Sequence, residues 1–191
     1  MITSPFTFYA TVGAIVTAGA TPVFTDISWD LNIDPKIIEG VISKRTKAIM
    51  PVHWAGKPCD MNSILEIANK YNLHVFEDAC HAAGSKSAAG NMGALGTTGC
   101  FSLHPLKNLN VWGDGGVICT NDGALASNLR LIRNHGLTDR DTCRVFGYNS
   151  RLDSIQAVIA SYMLKKLPEI NFRRSENAAY LTESLRNIPE I

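Results

Sequence analysis

The stretch CFSLHPLKNLNVWGDGG, residues 100–116, decides the architecture predicted for this chain. An apolar strand, CFSLH, runs into a turn through Pro105, and a second apolar strand, GVICT, begins at Gly116. The connection between them is rich in glycine and asparagine and has no helical periodicity, so one of the two strands is predicted to run antiparallel. The same turn holds Lys107, which makes this lysine a candidate for chemistry as well as for solvation.

The segments before this turn repeat a strand followed by a helix. Strands are predicted at TPVFTDI, KAIMPVH and HVFED. Helices are predicted at Asp34-Pro35, in DMNSILEIANKYN and, after the GVICT strand, from a cap at Asn121 or Asp122. Alternating β and α elements with strands that are apolar throughout indicate a mostly parallel sheet covered by helices on both faces. The predicted fold class is therefore α/β.

The character of the chain changes near residue 150. From Ser150 onward the sequence is predicted to be helical nearly throughout, with an interruption at Pro168. We therefore expect residues 1–150 to form a large domain that is incomplete at its start. We expect residues 151–191 to form long helices that lead into a truncated smaller domain.

Composition and charge exclude several classes of protein. The 191 residues are 46% hydrophobic and 18% charged, which is typical of a globular chain. A formal net charge of +1 without a basic block gives no reason to expect nucleic acid or an anionic membrane as a partner. No apolar run approaches the ~20 residues of a membrane span, and the first residues do not have the pattern of a signal peptide.

The cysteines predict neither a disulfide framework nor a metal site. Five are present, widely spaced and without a C-x-x-C motif. Cys100 and Cys119 lie in apolar runs and are expected to be small buried hydrophobic residues. Such cysteine usage favours a reducing, cytoplasmic location.

Polar side chains follow two predicted strands at their carboxyl ends, where open α/β sheets bind ligands. HVFEDACHAAG places Glu77 and Asp78 at the end of one strand, and CFSLHPLKN places Ser102 and Lys107 at the end of another. If these strands are neighbours, Asp78 and Lys107 face one pocket. An amine for an aldehyde, a carboxylate for a pyridinium nitrogen and a hydroxyl for phosphate are what pyridoxal phosphate requires. Phe8 offers an aromatic face for its ring.

Each of these residues also has an ordinary interpretation. A lysine in a loop is usually solvated, an acidic pair after a strand often caps a helix, and Ser102 and Phe8 are common strand and core residues. GDGG lacks both the G-x-G-x-x-G spacing of a nicotinamide-dependent Rossmann enzyme and the G-K-[ST] of a P-loop. Four histidines are more typical of structural roles: His53, His74, His104 and His135.

Five ordered blocks resemble the DegT/DnrJ/EryC1/StrS family of pyridoxal-phosphate-dependent aminotransferases, often called sugar aminotransferases. They are ITSPFTFYATVGAIVTAGATPVFTDI, KRTKAIMPVHWAGKPCDMNSILEIANKYNLHVFEDACHAAGS, GALGTTGCFSLHPLKNLNVWGDGGVICTND, LRLIRNHG and GYNSRLDSIQAVIA. The resemblance implies the large domain of a fold-type-I aminotransferase. It further implies amino transfer from an amino acid such as glutamate to a keto-sugar, most simply one linked to a nucleotide.

Two alternatives stay open beside that implication. Some members of the family act on cyclitol ketones, and a catalytically inactive homologue would serve as a dimerising scaffold or a regulator. Members of the family also begin earlier and continue further than this sequence does. The chain therefore resembles a central fragment of such an enzyme.

The resemblance implies a role for each candidate residue. Lys107 matches the lysine that forms the Schiff base with the cofactor, and Asp78 matches the acid that pairs with the pyridinium nitrogen. Ser102 matches a serine that binds the phosphate. His81 falls at a position near the phenolic oxygen, and Phe8 falls where an aromatic side chain packs on the ring.

The resemblance also extends to the assembly. Asn149, in GYNSRL, matches an asparagine that reaches the phosphate from a second subunit. A homodimer with shared active sites is therefore implied. Lys107 argues against the dehydratases related to this family, which have histidine at this position.

Overall fold

Eight strands occur in the computed structural model, which describes residues 1–188. In chain order they are β1 (Ile2–Thr3), β2 (Val23–Phe24), β3 (Ala48–Met50), β4 (His74–Asp78), β5 (Lys86–Ser87), β6 (Gly90–Asn91), β7 (Thr98–Ser102) and β8 (Gly116–Cys119). Strands β5 and β6 form a separate antiparallel hairpin. The other six strands form one sheet in the order β2-β1-β3-β4-β7-β8.

The helices alternate with these strands as the sequence predicts. They are α1 (Tyr9–Thr17), α2 (Pro35–Ile38), α3 (Met61–Tyr71), α4 (Gly123–Ile132) and α5 (Ser154–Leu185). Short 3-10 turns occur at Glu39–Val41 and Trp54–Gly56. The α/β fold class is confirmed.

Parallel pairing holds the sheet together except at one edge. Strands β2, β1, β3, β4 and β7 pair in parallel with one another in that order, whereas β8 is antiparallel to β7. The connection without a helix between residues 102 and 116 thus reverses the chain direction, as predicted. The register that pairs Asp78 with Cys100 aligns the carboxyl ends of β4 and β7.

Helix α3 shows how the sequence specifies the core. Asp60 caps its first turn by accepting a hydrogen bond from the backbone N–H of Ser63, and Asn72 ends it in a left-handed conformation. Met61 and Ile64 are fully buried on the face that the periodicity predicts. They pack in one cluster with Ile49 and other strand residues. Each such side chain contributes roughly 1.5–3 kcal/mol through burial.

Two local expectations are wrong. Helix α5 continues through Pro168, because a proline removes one backbone hydrogen bond while the turns on either side stay intact. Contacts of Leu167 and Asn171 with the sheet domain hold the helix on both sides of that proline. Cys119 is exposed and Cys100 is half-buried, because β8 is an edge strand in the described part of the chain.

The end of the predicted second domain lies outside the described part. Residues 189–191 belong to that expected segment, and the structure describes 151–188 of it. None of the helices within residues 1–188 has the length and apolar character needed to cross a bilayer.

Candidate active site

Asp78 lies at the carboxyl end of β4, where the sequence predicts a ligand. Its backbone is fixed by two hydrogen bonds to the segment after β3, from the Asp78 N–H to the Pro51 carbonyl and from the His53 N–H to the Asp78 carbonyl. Its Oδ2 accepts a hydrogen bond of 2.6 Å from the Thr11 hydroxyl. Its Oδ1 accepts one of 3.2 Å from the backbone N–H of Cys80. The carboxylate is therefore oriented before any ligand binds.

Lys107 and His81 line one open cleft of about 740 Å³, which also includes Gly84 and Asn108. Burial lowers the pKa of His81, the positive charge of Lys107 lowers it further, and the negative charge of Asp78 opposes both. The charges of Lys107 and Asp78 thus both act on the imidazole of His81. The structure therefore brings Lys107, Asp78 and His81 together around one end of the sheet.

The thiol of Cys80 lies in the same electrostatic environment. Burial, followed by the negative charge of Asp78 and a hydrogen bond to it, raises the pKa of Cys80 to about 12, while the charge of Lys107 acts in the opposite direction. A cysteine with such a pKa stays protonated near neutrality. Cys80 is thus a neutral thiol two residues after Asp78 in the chain.

The turn that carries Lys107 is closed by its own backbone and by neighbouring amides. The N–H of Lys107 donates to the His104 carbonyl at 2.9 Å, and the N–H of Val111 donates to the Leu103 carbonyl at 2.9 Å. The Asn110 side chain donates to the Lys107 carbonyl at 2.8 Å. Two backbone hydrogen bonds and one from a side-chain amide fix the turn, and Lys107 is half-buried rather than fully solvated.

Ser102 and Phe8 flank the site in different ways. Ser102 ends β7 two residues beyond Cys100, which pairs with Asp78. Ser102 is half-buried, and its Oγ accepts a hydrogen bond of 3.2 Å from the His104 N–H. Phe8 is the N-cap residue of α1, and 70% of its surface is exposed. It lies one turn before Thr11, whose hydroxyl contacts Asp78. Its ring is thus available to a ligand and is not part of the core.

Asn149 does not join the other predicted residues within this chain. It is exposed, its Oδ1 accepts a hydrogen bond of 3.0 Å from Arg151, and its backbone pairs with Asn134. It lines a second cleft together with Asp114 and residues of β8, and this cleft does not include Lys107. A role for Asn149 in the site of Lys107 therefore requires a second copy of the chain.

Sequence reasoning missed a buried pair behind the site. The Nε2 of His53 lies 3.0 Å from a carboxylate oxygen of Glu77, and both side chains are completely buried. The backbone N–H of Cys59 donates to His53 Nδ1 at 3.1 Å, so Nδ1 is unprotonated and Nε2 carries the proton donated to Glu77. The signal was available, because neighbouring strand residues point to opposite faces. Glu77 therefore faces the core when Asp78 faces the ligand.

The carboxylate of Glu77 is satisfied by backbone groups as well. It accepts hydrogen bonds from the N–H groups of Gly93 at 2.7 Å, Leu95 at 2.7 Å and Gly96 at 2.6 Å. Burial alone would raise the pKa of Glu77, but the hydrogen bonds from His53 and from these backbone groups outweigh it and hold the pKa below its ordinary value. Glu77 is thus an ionised anchor for the loop before β7.

Aromatic packing near His81 was also missed. Trp54 contacts the His81 ring edge-on, with centroids 5.6 Å apart, and the Phe6 ring with centroids 4.5 Å apart. The residues that follow Trp54 line the cleft of Lys107. Sequence gave no signal for this, since Trp54 sits in a short turn of no particular pattern.

These residues fit pyridoxal phosphate. The oxygens of Asp78 accept two hydrogen bonds, and a carboxylate offers about four acceptor positions, so it keeps capacity for the N–H of a pyridinium ring. In the described part of the chain Lys107 is in no salt bridge, and its amine lines the cleft. Within residues 1–188 no group of three or more His, Cys, Asp or Glu side chains is arranged to hold a metal ion.

Comparisons with known proteins give one consistent result. The model of the DegT/DnrJ/EryC1/StrS aminotransferase family matches residues 1–191. A protein of Geobacillus stearothermophilus named pleiotropic regulatory protein is 46% identical over 97% of this chain and 50% of its own length. The dTDP-3-amino-3,6-dideoxy-alpha-D-galactopyranose transaminase of Aneurinibacillus thermoaerophilus is 47% identical over 95% of this chain and 50% of its own length.

Solved structures agree with the sequence relatives. DesV from S. venezuelae, in complex with a ketimine intermediate, superposes with a TM-score of 0.95 at 38% identity, over 98% of this chain and 51% of DesV. The NtdA structure from Bacillus subtilis, which holds the cofactor PMP, superposes with a TM-score of 0.89 at 33% identity, over 98% of this chain and 44% of NtdA. The chain spans about half the length of these proteins. It belongs to the DegT/DnrJ/EryC1/StrS aminotransferase family.

Proposed function

We propose that this chain is the cofactor-binding part of a pyridoxal-phosphate-dependent aminotransferase that transfers an amino group from an amino acid to a keto-sugar. Glutamate is the proposed donor, and a nucleotide-linked sugar is the proposed acceptor. The observation that carries the proposal is that Lys107 and His81 line one cleft, while Asp78 ends β4 three residues before His81. Matching proteins named as sugar transaminases support the acceptor class.

Each side chain has a separate task in this proposal. Asp78, held by Thr11, accepts the N–H of the pyridinium ring and keeps that nitrogen protonated. Ser102 donates its hydroxyl to the phosphate, and Phe8 covers one face of the ring. When bound, pyridoxal phosphate supplies a ring that accepts electron density from the carbon that loses a proton.

Lys107 moves the proton in the reaction. Its Nζ, once unprotonated and free, would take the proton from Cα of the amino acid. It would then return a proton to the carbon bonded to the other side of the transferred nitrogen. The closed turn from His104 to Val111 keeps this amine within the cleft. The cleft itself is open in this chain, and we propose that residues outside this chain complete its walls.

A second subunit is part of the proposal. Asn149 is exposed and lines a different cleft from Lys107 in its own chain, which suits a side chain that binds the phosphate of a partner. We therefore propose a homodimer with shared sites in the cytoplasm. Residues 1–150 form its cofactor-binding domain, and residues 151–191 lead into its smaller domain.

Two other functions compete with this proposal. A cyclitol ketone is an alternative acceptor, since the described residues concern the cofactor rather than the sugar. A regulatory role is favoured by the name of the relative from Geobacillus stearothermophilus. The presence of Lys107, Asp78 and Ser102 together favours catalysis, because a scaffold that binds no cofactor does not need these three side chains.

The test uses the chain extended to the length of its relatives. Pyridoxal phosphate is added and reduced with borohydride, and the labelled peptide is identified by mass spectrometry. We expect the label on Lys107, its loss in Lys107→Ala, and normal labelling in the control Lys44→Ala, an exposed lysine remote from the cleft. Label on another lysine, or none on protein that has bound the cofactor, contradicts the proposal. Turnover of keto-sugars against keto-cyclitols then separates the acceptors.

A further inference from the structure

Helix α5 reaches the turn of Lys107 with two side-chain amides, both of which contact residues that follow that lysine in the chain. The side chain of Asn171 accepts a hydrogen bond of 2.9 Å from the side chain of Asn108. The side chain of Gln156 pairs with the backbone of Trp112, accepting from its N–H at 2.9 Å and donating to its carbonyl at 3.1 Å. The segment that carries Lys107 is thus attached to one helix at two points, Asn108 and Trp112.

A third segment joins the first of these contacts. The carbonyl of Ala83 accepts hydrogen bonds from Asn108 at 2.8 Å and from Asn171 at 3.0 Å. Ala83 is buried and follows Asp78 and His81 in the same short segment. Asn108, Asn171 and Ala83, here called the amide clamp, therefore join the lysine turn, the acid segment and α5.

The surrounding residues are shaped for this close approach. Gly84 has a φ of +85°, and a Cβ at that position would lie 2.6 Å from Nδ2 of Asn171 and 3.6 Å from Leu167. A Cβ at Gly113 would lie 3.0 Å from Nε2 of Gln156. A side chain at Gly84 would therefore crowd the amide of Asn171, and a side chain at Gly113 would crowd the amide of Gln156. Leu167 is the buried residue of α5 and packs next to the clamp.

We infer that Asn171 is a positioning residue, which through Asn108 fixes Lys107 relative to Asp78. This inference rests on the proposed function. Lysine carries its amine on a flexible four-carbon stem, so the backbone of its turn has to be held if the amine is to reach one atom reproducibly. Asn108 is the next residue in the chain, and both hydrogens of its amide are committed to the clamp.

The test compares three variants of the extended chain: Asn171→Leu, Asn108→Leu and the double variant. Two quantities are measured, the rate at which Lys107 captures added pyridoxal phosphate and the hydrogen exchange of the turn. Each single variant is expected to slow capture by about tenfold. The double variant is expected to be slower than the wild-type chain by less than the product of the two single effects, because the single variants share the loss of the hydrogen bond between Asn108 and Asn171.

Hydrogen exchange reports on the turn without any cofactor. In Asn171→Leu the amides of Lys107 and Val111 are expected to exchange about tenfold faster, while those of β4 keep their protection. If the unchanged protein does not capture pyridoxal phosphate, the proposed function is contradicted. Hydrogen exchange still tests the role of Asn171 in that case, because it is measured without the cofactor. Unchanged exchange in the turn overturns the inference about Asn171.

Leu167→Ala is the matched control. It weakens the packing of the same helix and leaves the three amide groups of the clamp in place. We expect it to lower the melting temperature and to change the capture rate less than about threefold, because it weakens packing and keeps the hydrogen bonds of the clamp. If Leu167→Ala slows capture as much as Asn171→Leu at an equal loss of stability, the clamp is structural only and the inference fails.

Discussion

The hydroxyl of Thr11 donates a hydrogen bond of 2.6 Å to the carboxylate of Asp78, and it also contacts the Thr7 hydroxyl at 2.7 Å. Thr11 is buried on α1, whereas Asp78 ends β4. A carboxylate accepts and cannot donate, so the proton between these two residues belongs to the threonine. The first helix of the chain thereby orients the acid proposed to bind the cofactor.

Removing this hydroxyl is expected to weaken cofactor binding. Thr11→Val keeps the shape and leaves Asp78 with one partner fewer, so the dissociation constant for pyridoxal phosphate should rise about tenfold, or ~1.4 kcal/mol. Thr11→Ser restores the donor and should recover most of the affinity. The measurement is fluorescence titration of the extended chain. Equal affinities for the Val and Ser variants would show that the hydroxyl does not matter.

Glu77 is expected to matter for stability rather than for binding. Glu77→Gln places an N–H₂ group against backbone N–H donors in a fully buried site, and should lower the free energy of unfolding by about 3 kcal/mol. Urea unfolding at pH 7 measures this loss. Asp60→Asn, at an exposed cap of α3, is the control and should cost less than ~1 kcal/mol.

The same carboxylate predicts how stability depends on pH. The folded-state pKa of Glu77 is below its ordinary value, so its contribution is fully present above the unfolded-state pKa of about 4.3 and is lost as the pH falls through the folded-state pKa. The unchanged protein should therefore lose stability on acidification below about pH 5. Glu77→Gln should lose less over that range. Parallel curves for the two proteins would contradict this assignment.

The sequence predicts the parts of this fold that depend on local pattern. The strand end at Asp78, the cap of α4 at Asp122 and the reversal before β8 all follow from short-range periodicity and turn residues. The hydrogen bond between Thr11 and Asp78 joins residues 67 positions apart, and neither residue type predicts the other as its partner. Such contacts depend on which strands become neighbours, and that is set by the whole sheet.

The mistakes have the same origin. A proline is a strong local signal against a helix, yet α5 continues through Pro168 because Leu167 and Asn171 are fixed by contacts distant in sequence. The apolar run of β8 predicts burial of Cys119, whereas the position of β8 at the edge of the sheet in the described part of the chain exposes it. In both places tertiary context decides the outcome against the local pattern.

Gly84 is expected to tolerate no side chain. Gly84→Ala would hold an L residue at a φ of +85° and push against Asn171, so the free energy of unfolding should fall by about 2 kcal/mol. Gly123→Ala is the matched control, because Gly123 begins α4 with open space around its Cβ position. It should leave the stability unchanged or raise it by up to ~1 kcal/mol. Thermal unfolding of both variants measures the difference.

Cysteine reactivity should follow exposure and pKa. Cys80 is half-buried with a pKa of about 12, so it should resist iodoacetamide at pH 8 for hours. Cys119 and Cys143 are exposed and should be alkylated first. Peptide mass spectrometry after timed alkylation measures the order. Bound pyridoxal phosphate should protect Cys80 further, and faster alkylation of Cys80 than of Cys143 would contradict the environment described for it.

A mixing experiment tests whether two subunits share each site. Lys107→Ala and Asn149→Ala are each expected to be nearly inactive in the extended chain, because one lacks the amine and the other lacks the phosphate ligand given to its partner. In a mixed dimer one site receives both changes, and the other receives Lys107 and Asn149 intact. Random mixing of equal amounts should therefore restore about a quarter of the unchanged activity.

The controls for this mixing are built into the same pair of proteins. Each variant mixed with itself should stay inactive, and covalent linkage of the subunits before mixing should abolish the recovery. Sites confined to single chains predict no recovery under any mixing ratio. Since Asn149 and Lys107 line different clefts of one chain, recovery on mixing would place the two residues in one site across the interface.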